Sequence, residues 1–292
     1  MFEDFETKTL AGDGAAIHCR IAGSGSPLLL LHGYPQTGAL WADVAPGLTD
    51  RHRVVVPDLR GYGRSEAPAS SGGEGYSKRR MGADMVAVMA GLGFERFAVA
   101  GHDRGARVAY RLALDHPERV SQLAVLDVVP TLETWGEMDW KAALTSYHWP
   151  FLAQAEPLPE RLIGHEPDFY LEWTIRSWTK KKSLEVFRPE ALAEYRAAFR
   201  QPERIHAACE DYRAGATIDR ILDIADRDLG RRIKAPMLVL WGSAGTPAKG
   251  RPPLTVWREW CDSVTGREID CGHFLPEEAP GETLAALRDF FD

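Results

Sequence analysis

Short apolar runs in the first 130 residues constrain the fold of this chain more than any other sequence feature. They cover residues 27–31, 53–56, 97–100 and 122–126. Continuous apolar runs of this length suit strands that are buried on both faces, as in a parallel sheet. Amphipathic segments at residues 77–92 and 104–114 lie between the later runs. The alternation of strand and helix predicts an α/β fold with a mostly parallel, doubly wound sheet.

The sequence changes character after residue 130. From residue 131 to residue 229 no segment predicts a buried strand, whereas Trp, Glu, Arg and Ala recur at helical spacing and prolines divide the stretch into short helices. Strand patterns return at residues 237–241 and 267–269, and a final helix is predicted from about residue 281. We therefore expect a core formed by residues 1–130 and 230–292, into which a helical cap of residues 131–229 is inserted.

Composition excludes several kinds of partner. The chain has 35 Lys+Arg against 42 Asp+Glu, a net charge of −7 that disfavours nucleic acid. No apolar run approaches the ~18 residues of a membrane-spanning helix, and the acidic N-terminus does not resemble a signal peptide. The four cysteines show no Cys-x-x-Cys spacing, and no His, Asp, Glu or Cys cluster has metal-ligand spacing. A cytoplasmic protein without metal or organic cofactor is expected.

Residues 101–105, Gly-His-Asp-Arg-Gly, stand between a predicted strand and a predicted helix. Glycines on both sides permit a tight turn that projects the central side chain into a cleft, as in the Gly-x-nucleophile-x-Gly motif. Here the central residue is Asp103, whose charge the following helix N-terminus should stabilise. The alternative is that Asp103 merely caps that helix, which is a common role for aspartate.

A carboxylate nucleophile limits the chemistry that such a site can perform. Attack on an ester carbonyl would form an anhydride, an unproductive route for simple hydrolysis. Attack on a saturated carbon that bears a leaving group forms an alkyl ester, which water can then cleave. The motif therefore favours displacement at carbon followed by ester hydrolysis.

Two further positions predict the partners of Asp103. His273 follows the last predicted strand and is the candidate general base. Residues 243–250, where many such folds place the orienting acid, contain no Asp or Glu, so Asp127, which follows the run at residues 122–126, is the candidate. A turn-forming role for Asp127 is the alternative.

Arginines on the helix after the motif suggest an anionic substrate. Arg104 and Arg107 are three residues apart and share a helix face. Such a pair is usually solvated, but beside an ionised aspartate two guanidinium groups would suit a substrate carboxylate. In the cap, His148 and Trp149 place two N–H donors side by side, and Tyr212 adds a phenolic hydroxyl. Aromatic residues in a helical segment are more often simply core.

The chain resembles the α/β-hydrolase superfamily throughout and, within it, the fluoroacetate (haloacetate) dehalogenases. The motifs that carry the resemblance are His32-Gly33-Tyr34-Pro35, Gly101-His102-Asp103-Arg104-Gly105-Ala106-Arg107, Tyr147-His148-Trp149-Pro150, Tyr212 and Gly272-His273-Phe274-Leu275-Pro276. The resemblance implies hydrolytic dehalogenation of short 2-halocarboxylates, for example of fluoroacetate or chloroacetate to glycolate and halide. It also implies a homodimer.

The resemblance further implies a role for each site residue. The catalytic set would be nucleophile Asp103, general base His273 and orienting acid Asp127. Arg104 and Arg107 would bind the substrate carboxylate. The remaining residues would bind the departing halide or line the pocket and the oxyanion turn: His148, Trp149 and Tyr212 for the halide, and Tyr34 and Trp178 for the pocket.

Alternative functions remain open at this point. An epoxide hydrolase also uses an aspartate nucleophile and draws ring-opening acids from tyrosines, for which Tyr147, Tyr170 and Tyr212 are available. The paired arginines argue against it, because neutral epoxides offer no anionic group. A haloalkane dehalogenase is less favoured, since Arg104 occupies a position where that family usually has Trp. A catalytically silent carboxylate-binding protein on the same scaffold is the third alternative.

Overall fold

The computed structural model describes residues 1–245, 247 and 250–292. Within the segment 243–250, which lacks acidic residues, residues 246, 248 and 249 lie outside this described part. The strands are β1 Glu6–Ala11, β2 Ala16–Ala22, β3 Ser26–Leu31, β4 His52–Pro57, β5 Phe97–His102, β6 Val120–Leu126, β7 Met237–Gly242 and β8 Val264–Ile269. They form one sheet in the order β1-β2-β4-β3-β5-β6-β7-β8.

The sheet is mostly parallel, as the apolar runs predicted. Only β1 with β2 and β2 with β4 pair antiparallel, and each remaining neighbouring pair is parallel. Successive residues of β3 show why its sequence is a continuous apolar run. Leu29 and Leu31 belong to the hydrophobic cluster on one face of the sheet, whereas Leu28 and Leu30 belong to the cluster on the other face. Because both faces of the sheet are buried here, the sequence of this strand does not alternate between apolar and polar residues.

The sequence patterns did not predict β1 and β2. Edge strand β1 is exposed and largely polar, so no apolar run marks it. In β2 the apolar residues Ile17, Cys19 and Ile21 alternate with polar residues, and all three are fully buried. This period of two marks an antiparallel strand, which a search for continuous apolar runs overlooks.

Helices connect the strands and cover the sheet. They are α1 Lys78–Gly91, α2 Arg104–Asp115, α3 Thr131–Gly136, α4 Trp140–Thr145, α5 His148–Leu152, α6 Leu158–His165, α7 Pro167–Trp178, α8 Pro189–Phe199, α9 Pro202–Ala216, α10 Ile218–Asp228, α11 Pro253–Trp260, α12 Leu275–Glu278 and α13 Pro280–Phe291. In the described part of the chain, none of these helices is long and apolar enough to span a membrane.

The elements between β6 and β7 are the helices α3 to α10. We call residues 131–228 the helical insertion, and the rest of the chain the core. Proline stands in the first turn of α6, α7, α8 and α9, where its missing N–H removes no helical hydrogen bond. Prolines thus divide the insertion into short helices. The division into separate core and cap domains at residues 130 and 229 stays a prediction.

Candidate active site

The turn between β5 and α2 projects Asp103 from the carboxyl edge of the sheet. Asp103 has a left-handed backbone, with φ 48° and ψ −117°, a conformation that non-glycine residues rarely adopt. A Cβ atom on Gly101 would lie 2.5 Å from the Gly105 carbonyl oxygen, and one on Gly105 would lie 2.3 Å from the His32 carbonyl oxygen. Both glycines are therefore required sterically. The Asp103 side chain makes no capping hydrogen bond with α2, so the helix-cap alternative is not supported.

The turn after β3 lies directly against the Asp103 carboxylate. The Tyr34 backbone N–H donates to Asp103 Oδ1 at 2.8 Å. A Cβ atom on Gly33 would lie 2.6 Å from the same oxygen, so glycine is needed for this approach. The Leu59 backbone N–H donates to His32 Nε2 at 2.9 Å and fixes the base of the turn. The turn predicted as the oxyanion site thus holds one oxygen of Asp103.

His273 lies between the two predicted carboxylates. Its Nδ1 is 2.6 Å from Asp127 Oδ2, and its Nε2 is 3.8 Å from Asp103 Oδ2. The other Asp127 oxygen accepts the Gly242 backbone N–H at 2.9 Å. Asp127 also has a left-handed backbone, with φ 57°. Its carboxylate therefore orients a histidine in addition to any role of its backbone in the turn.

Electrostatics favour the charged form of Asp103. Burial opposes ionisation, but His273 and His102 outweigh it together with the nearby arginines, so the pKa of Asp103 lies below its usual value. Burial would likewise lower the pKa of His273, but the hydrogen bond to Asp127 and the carboxylate charges raise it above 6.5. Burial lowers the pKa of both His102 and His148 to about 3, which keeps these two imidazoles neutral.

A cavity of about 480 Å³ opens above the Asp103 carboxylate. Of the predicted site residues, it brings together Asp103, Arg107, Asp127, His148, Trp149, Trp178 and His273. Three others do not line it, namely Tyr34, Arg104 and Tyr212. They are fully or almost fully buried behind its wall, where the Tyr212 ring lies 5.7 Å from that of Trp149 and 5.6 Å from that of His148.

Arg107 is a buried cation without an acidic partner among the described residues. Its Nη1 donates to the Val129 carbonyl at 3.0 Å and to Thr131 Oγ1 at 3.2 Å, and its Nη2 donates to Thr134 Oγ1 at 3.3 Å. Its Nε has no hydrogen-bond partner. Burial, and then the charge of Arg104, lower the pKa of Arg107. An uncompensated guanidinium beside a cavity is suited to an anionic ligand.

Arg104 differs from Arg107 because it has a counterion that the sequence patterns did not predict. Its Nε and Nη2 donate to Asp211 Oδ1 at 3.1 and 2.5 Å, and its Nη2 also donates to the Asp211 carbonyl at 2.8 Å. Within residues 1–245, 247 and 250–292, Nη1 is the one nitrogen of this guanidinium without a hydrogen-bond partner. The expectation of two free guanidinium groups therefore needs correction, since Arg104 can offer one nitrogen. A buried arginine requires an acid, and Asp211 directly precedes the predicted site residue Tyr212, which was an available signal.

The helical insertion contributes polar atoms that no protein group satisfies. The Tyr212 hydroxyl and His148 Nδ1 are buried without a hydrogen-bond partner in the described part of the chain, as is the Tyr34 hydroxyl of the core. Their rings pack together, with centroids 5.1 Å apart for Tyr34 and Tyr212 and 4.4 Å apart for His148 and Trp178. Buried polar atoms are normally paired, so this cluster indicates a place for a polar ligand.

Metal ligands are not clustered in the described residues. No group of three or more His, Cys, Asp or Glu side chains there is arranged to hold a metal ion. What the site does contain is a buried carboxylate at a strand–helix turn, a histidine oriented by a second carboxylate, and an unpaired guanidinium.

The sheet order and the residues at its carboxyl edge define an α/β hydrolase. The family model of the alpha/beta hydrolase fold matches residues 26–280. A fluoroacetate dehalogenase from Burkholderia sp is 43% identical over 99% of this chain and 95% of its own length. The chain belongs to the α/β-hydrolase superfamily and, within it, to the fluoroacetate dehalogenase family.

Epoxide hydrolases are also among its relatives. A soluble epoxide hydrolase from Corynebacterium sp. (strain C12) is 32% identical over 96% of this chain and 94% of its own length. Among solved structures, an α/β hydrolase from Nostoc sp PCC 7120 has a TM-score of 0.96 at 50% identity, with 99% of each chain covered. A Pseudomonas aeruginosa protein solved with bound MFA has a TM-score of 0.93 at 47% identity, covering 99% of this chain and 96% of the other.

Proposed function

We propose that this α/β hydrolase is a dehalogenase of short 2-halocarboxylates, which converts fluoroacetate or chloroacetate to glycolate and halide. One observation carries the proposal: the ionised Asp103 and the uncompensated cation Arg107 line the same cavity. A 2-halocarboxylate matches this pair, because its carboxylate needs a cation and its adjacent carbon needs a nucleophile.

In the first step, Asp103 Oδ2 attacks the carbon that bears the halogen. A carbon–oxygen bond forms, the carbon–halogen bond breaks, and the halide leaves with the electron pair. Oδ2 is the attacking oxygen because the Tyr34 N–H holds Oδ1. Arg107 binds the substrate carboxylate and brings the reacting carbon to the nucleophile, which replaces a bimolecular encounter by a positioned reaction.

The departing halide is stabilised by donors of the helical insertion. His148, Trp149 and Tyr212 surround the far side of the site, and the hydroxyl of Tyr212 has no other partner among the described residues. Fluoride is a poor leaving group because its bond to carbon is strong, and the ion demands hydrogen bonds. Each preorganised donor can stabilise it by about 1–3 kcal/mol, without strict additivity.

In the second step, water hydrolyses the ester on Asp103. His273 Nε2 removes a proton from water, and the resulting hydroxide attacks the ester carbonyl carbon of Asp103. Oδ1 then carries the developing negative charge, which the Tyr34 N–H stabilises. The bond between the Asp103 carbonyl carbon and the ester oxygen Oδ2 then breaks, and the departing glycolate oxygen takes the proton from His273. The carboxyl group of Asp103, which now contains the oxygen of the water, releases its remaining proton to solvent and returns to its ionised form. Asp127 stabilises the intermediate imidazolium through Nδ1.

Halide release tests the proposal. Purified protein incubated with fluoroacetate, chloroacetate and bromoacetate should release halide and form glycolate in equal amounts. The variant His273→Asn should stop after the first step and accumulate an ester on Asp103, detectable by peptide mass spectrometry. Absence of halide release from every haloacetate, or an adduct on another residue, would contradict the assignment. Binding without turnover would indicate the catalytically silent alternative.

Epoxide hydrolysis is the second candidate function. The Tyr212 hydroxyl, which has no hydrogen-bond partner in the described part of the chain, is buried near the nucleophile and could protonate an epoxide oxygen. The Corynebacterium relative also has this activity by name. Diol formation from styrene oxide at a rate comparable to halide release would favour this function over dehalogenation.

The proposed enzyme is a cytoplasmic homodimer. The dimer is what the family resemblance implies, and its test is the molar mass in solution by light scattering. A mass near 32.4 kDa, which is the mass of one chain, would contradict the dimer.

A further inference from the structure

Asp211 is the buried centre of a charge cluster that reaches from the core into the helical insertion. The residue lies on α9 and is fully buried. Its carboxylate accepts the Tyr62 hydroxyl at 2.7 Å, the ammonium of Lys78, and two nitrogens of Arg104. Burial would raise the pKa of Asp211, but Arg104 and Lys78 hold it well below its usual value, so the carboxylate stays charged.

This cluster leaves Arg104 with one free nitrogen. Asp211 occupies Nε and Nη2, whereas Nη1 is buried without a partner among the described residues. The guanidinium carbon also lies 4.3 Å from the centre of the Tyr212 ring, whose own hydroxyl is unpartnered. Because Asp211 and Tyr212 are consecutive in α9, one segment of backbone fixes the position of both unsatisfied donors.

A glycine in the interior of α9 makes room for this arrangement. A Cβ atom on Gly215 would lie 3.0 Å from Arg104 Nη2 and 3.4 Å from Nη1. The shorter distance is tight for a carbon–nitrogen contact, so Nη2 would have to shift by a few tenths of an ångström. Glycine in the interior of a helix lowers the stability of that helix. At this position its lack of a side chain leaves space for the Arg104 guanidinium.

We infer that Asp211 is a positioning residue: it holds Arg104 Nη1 and the Tyr212 hydroxyl directly behind the cavity wall formed by Trp149 and His148, where the bound substrate's carboxylate meets Arg104 and its leaving group meets Tyr212. This inference rests on the proposed function. Asp211 itself touches no substrate. Together with Asp219, whose Oδ2 lies 3.7 Å from Lys78 Nζ, it neutralises the charge that Arg104 and Lys78 bring into the interior. It also holds Arg104 so that the two N–H groups of Nη1 remain for a carboxylate oxygen. Arg107, which has no acid partner in the described part of the chain, supplies the main charge.

The test compares an anionic with a neutral ligand in the full-length protein. Binding of acetate and of acetamide is followed through the fluorescence of the tryptophans that line the cavity. In Asp211→Asn the acetate dissociation constant should rise by about tenfold or more, as expected for one lost charge-assisted hydrogen bond. The acetamide constant should change by less than about threefold, because a neutral ligand gains less from a positioned cation.

A matched control separates positioning from general loss of a buried ion pair. Asp84 is also fully buried, and its two oxygens each accept a nitrogen of Arg60 at 2.6 Å, away from the site. Asp84→Asn should leave the ratio of acetate to acetamide affinity unchanged. An equal loss of both ligands in Asp211→Asn, unchanged acetate binding, or no acetate binding by the unmodified protein would each overturn the inference.

If Asp211→Asn does not fold, a second variant tests whether the position of Arg104 determines acetate binding. Gly215→Ala improves helix propensity and displaces the Arg104 guanidinium without deleting a charge. It should weaken acetate binding and spare acetamide, and unchanged acetate binding would again overturn the inference. Halide release by the unmodified protein is measured separately. Its absence would defeat the proposed function, whereas the acetate comparison would still test Asp211.

Discussion

The core and the helical insertion contribute to the site in different ways. In the core, Asp103 Oδ1 accepts the Tyr34 N–H, and Asp127 accepts both the Gly242 N–H and His273. In the insertion, His148 Nδ1 and the Tyr212 hydroxyl have no partner in the described residues. The proposed nucleophile is thus oriented by the protein alone, whereas the proposed halide donors find no partner among the described residues and are left for a ligand.

This difference follows from how the two regions are built. The proposed catalytic carboxylates and histidine follow the ends of strands β5, β6 and β8, whose register is fixed by the parallel ladder that runs from β5 through β6 and β7 to β8. The insertion consists of short helices whose side chains meet the site across a packed aromatic cluster. Substitutions in the core should therefore stop the chemistry, and substitutions in the insertion should change its rate and selectivity.

The largest effect is expected from Asp103→Asn. An amide is not a nucleophile at neutral pH, so turnover should fall by about 10⁴-fold or more, as when other nucleophiles are removed. Halide release from chloroacetate measures the loss. Asp115→Asn, at the other end of the same helix, is the control, because Asp115 pairs with Arg79 and Arg111 away from the site. Residual activity within tenfold of the unmodified enzyme would remove Asp103 from its proposed role.

Which parts of the site could be predicted depends on how far apart the partners lie in sequence. The Gly-His-Asp-Arg-Gly turn was predictable because its steric requirement is local and both glycines are part of the motif. Spacing also placed Arg104 and Arg107 on one face of α2. It could not reveal that Arg104 has a counterion, because Asp211 is 107 residues away and reaches it only through the packing of α9 on the core.

The antiparallel strands and the network around Asp127 show the same limit. β2 was overlooked because its apolar residues alternate with polar ones, and the partners of β2 in the sheet are not evident from its own sequence. Asp127 was found by elimination and by its place at a strand end. Its second hydrogen bond, from the Gly242 N–H, depends on the register of β6 against β7. Local motifs can be recognised in a single sequence, whereas contacts between residues that are distant in sequence become evident only in the three-dimensional structure.

A smaller effect, confined to the leaving group, is expected from Tyr212→Phe. The ring beside Arg104 is retained, and only the unpartnered hydroxyl is lost. Halide release should fall by about 10- to 100-fold for fluoroacetate and less for bromoacetate, since bromide needs less hydrogen bonding. Tyr76→Phe is the control, because the Tyr76 hydroxyl donates to the Pro68 carbonyl away from this cluster. Equal losses for all halides would argue against a role in halide binding.

The pH dependence of turnover distinguishes the two steps. Ester hydrolysis requires neutral His273, and the pKa of His273 lies above 6.5 because Asp127 and Asp103 outweigh its burial. Under conditions where this step limits the rate, kcat should rise with pH through the pKa that His273 has in the ester intermediate, where Asp103 is neutral and Asp127 remains, and level off above it. The first step requires ionised Asp103, whose pKa is lowered, so it should not fall until much lower pH. A kcat that did not rise with pH under these conditions would contradict the role of His273 as the general base.

The smallest effect concerns the contact between the two regions rather than the chemistry. Glu277, on α12 of the core, accepts the Tyr195 hydroxyl of the insertion at 2.8 Å and the Gln36 amide at 2.6 Å. Burial raises the pKa of Glu277 from 4.5 to about 8. Between these pH values the folded protein binds more protons at this site than the unfolded chain does, so the free energy of unfolding should decrease as pH rises and level off above about 8.

Glu277→Gln keeps both hydrogen-bonding positions and removes this titration. Urea denaturation at pH 5, 6.5 and 8.5 should therefore show a smaller decrease in unfolding free energy with pH for the variant than for the unmodified protein. Glu282→Gln, an exposed substitution on α13, is the control and should reproduce the unmodified pH dependence. If Glu277→Gln also showed the pH dependence of the unmodified protein, the Glu277 carboxyl would be ionised at every pH tested. A charged Glu277 would then connect core and insertion as an acceptor only, because an ionised carboxylate has no proton to donate.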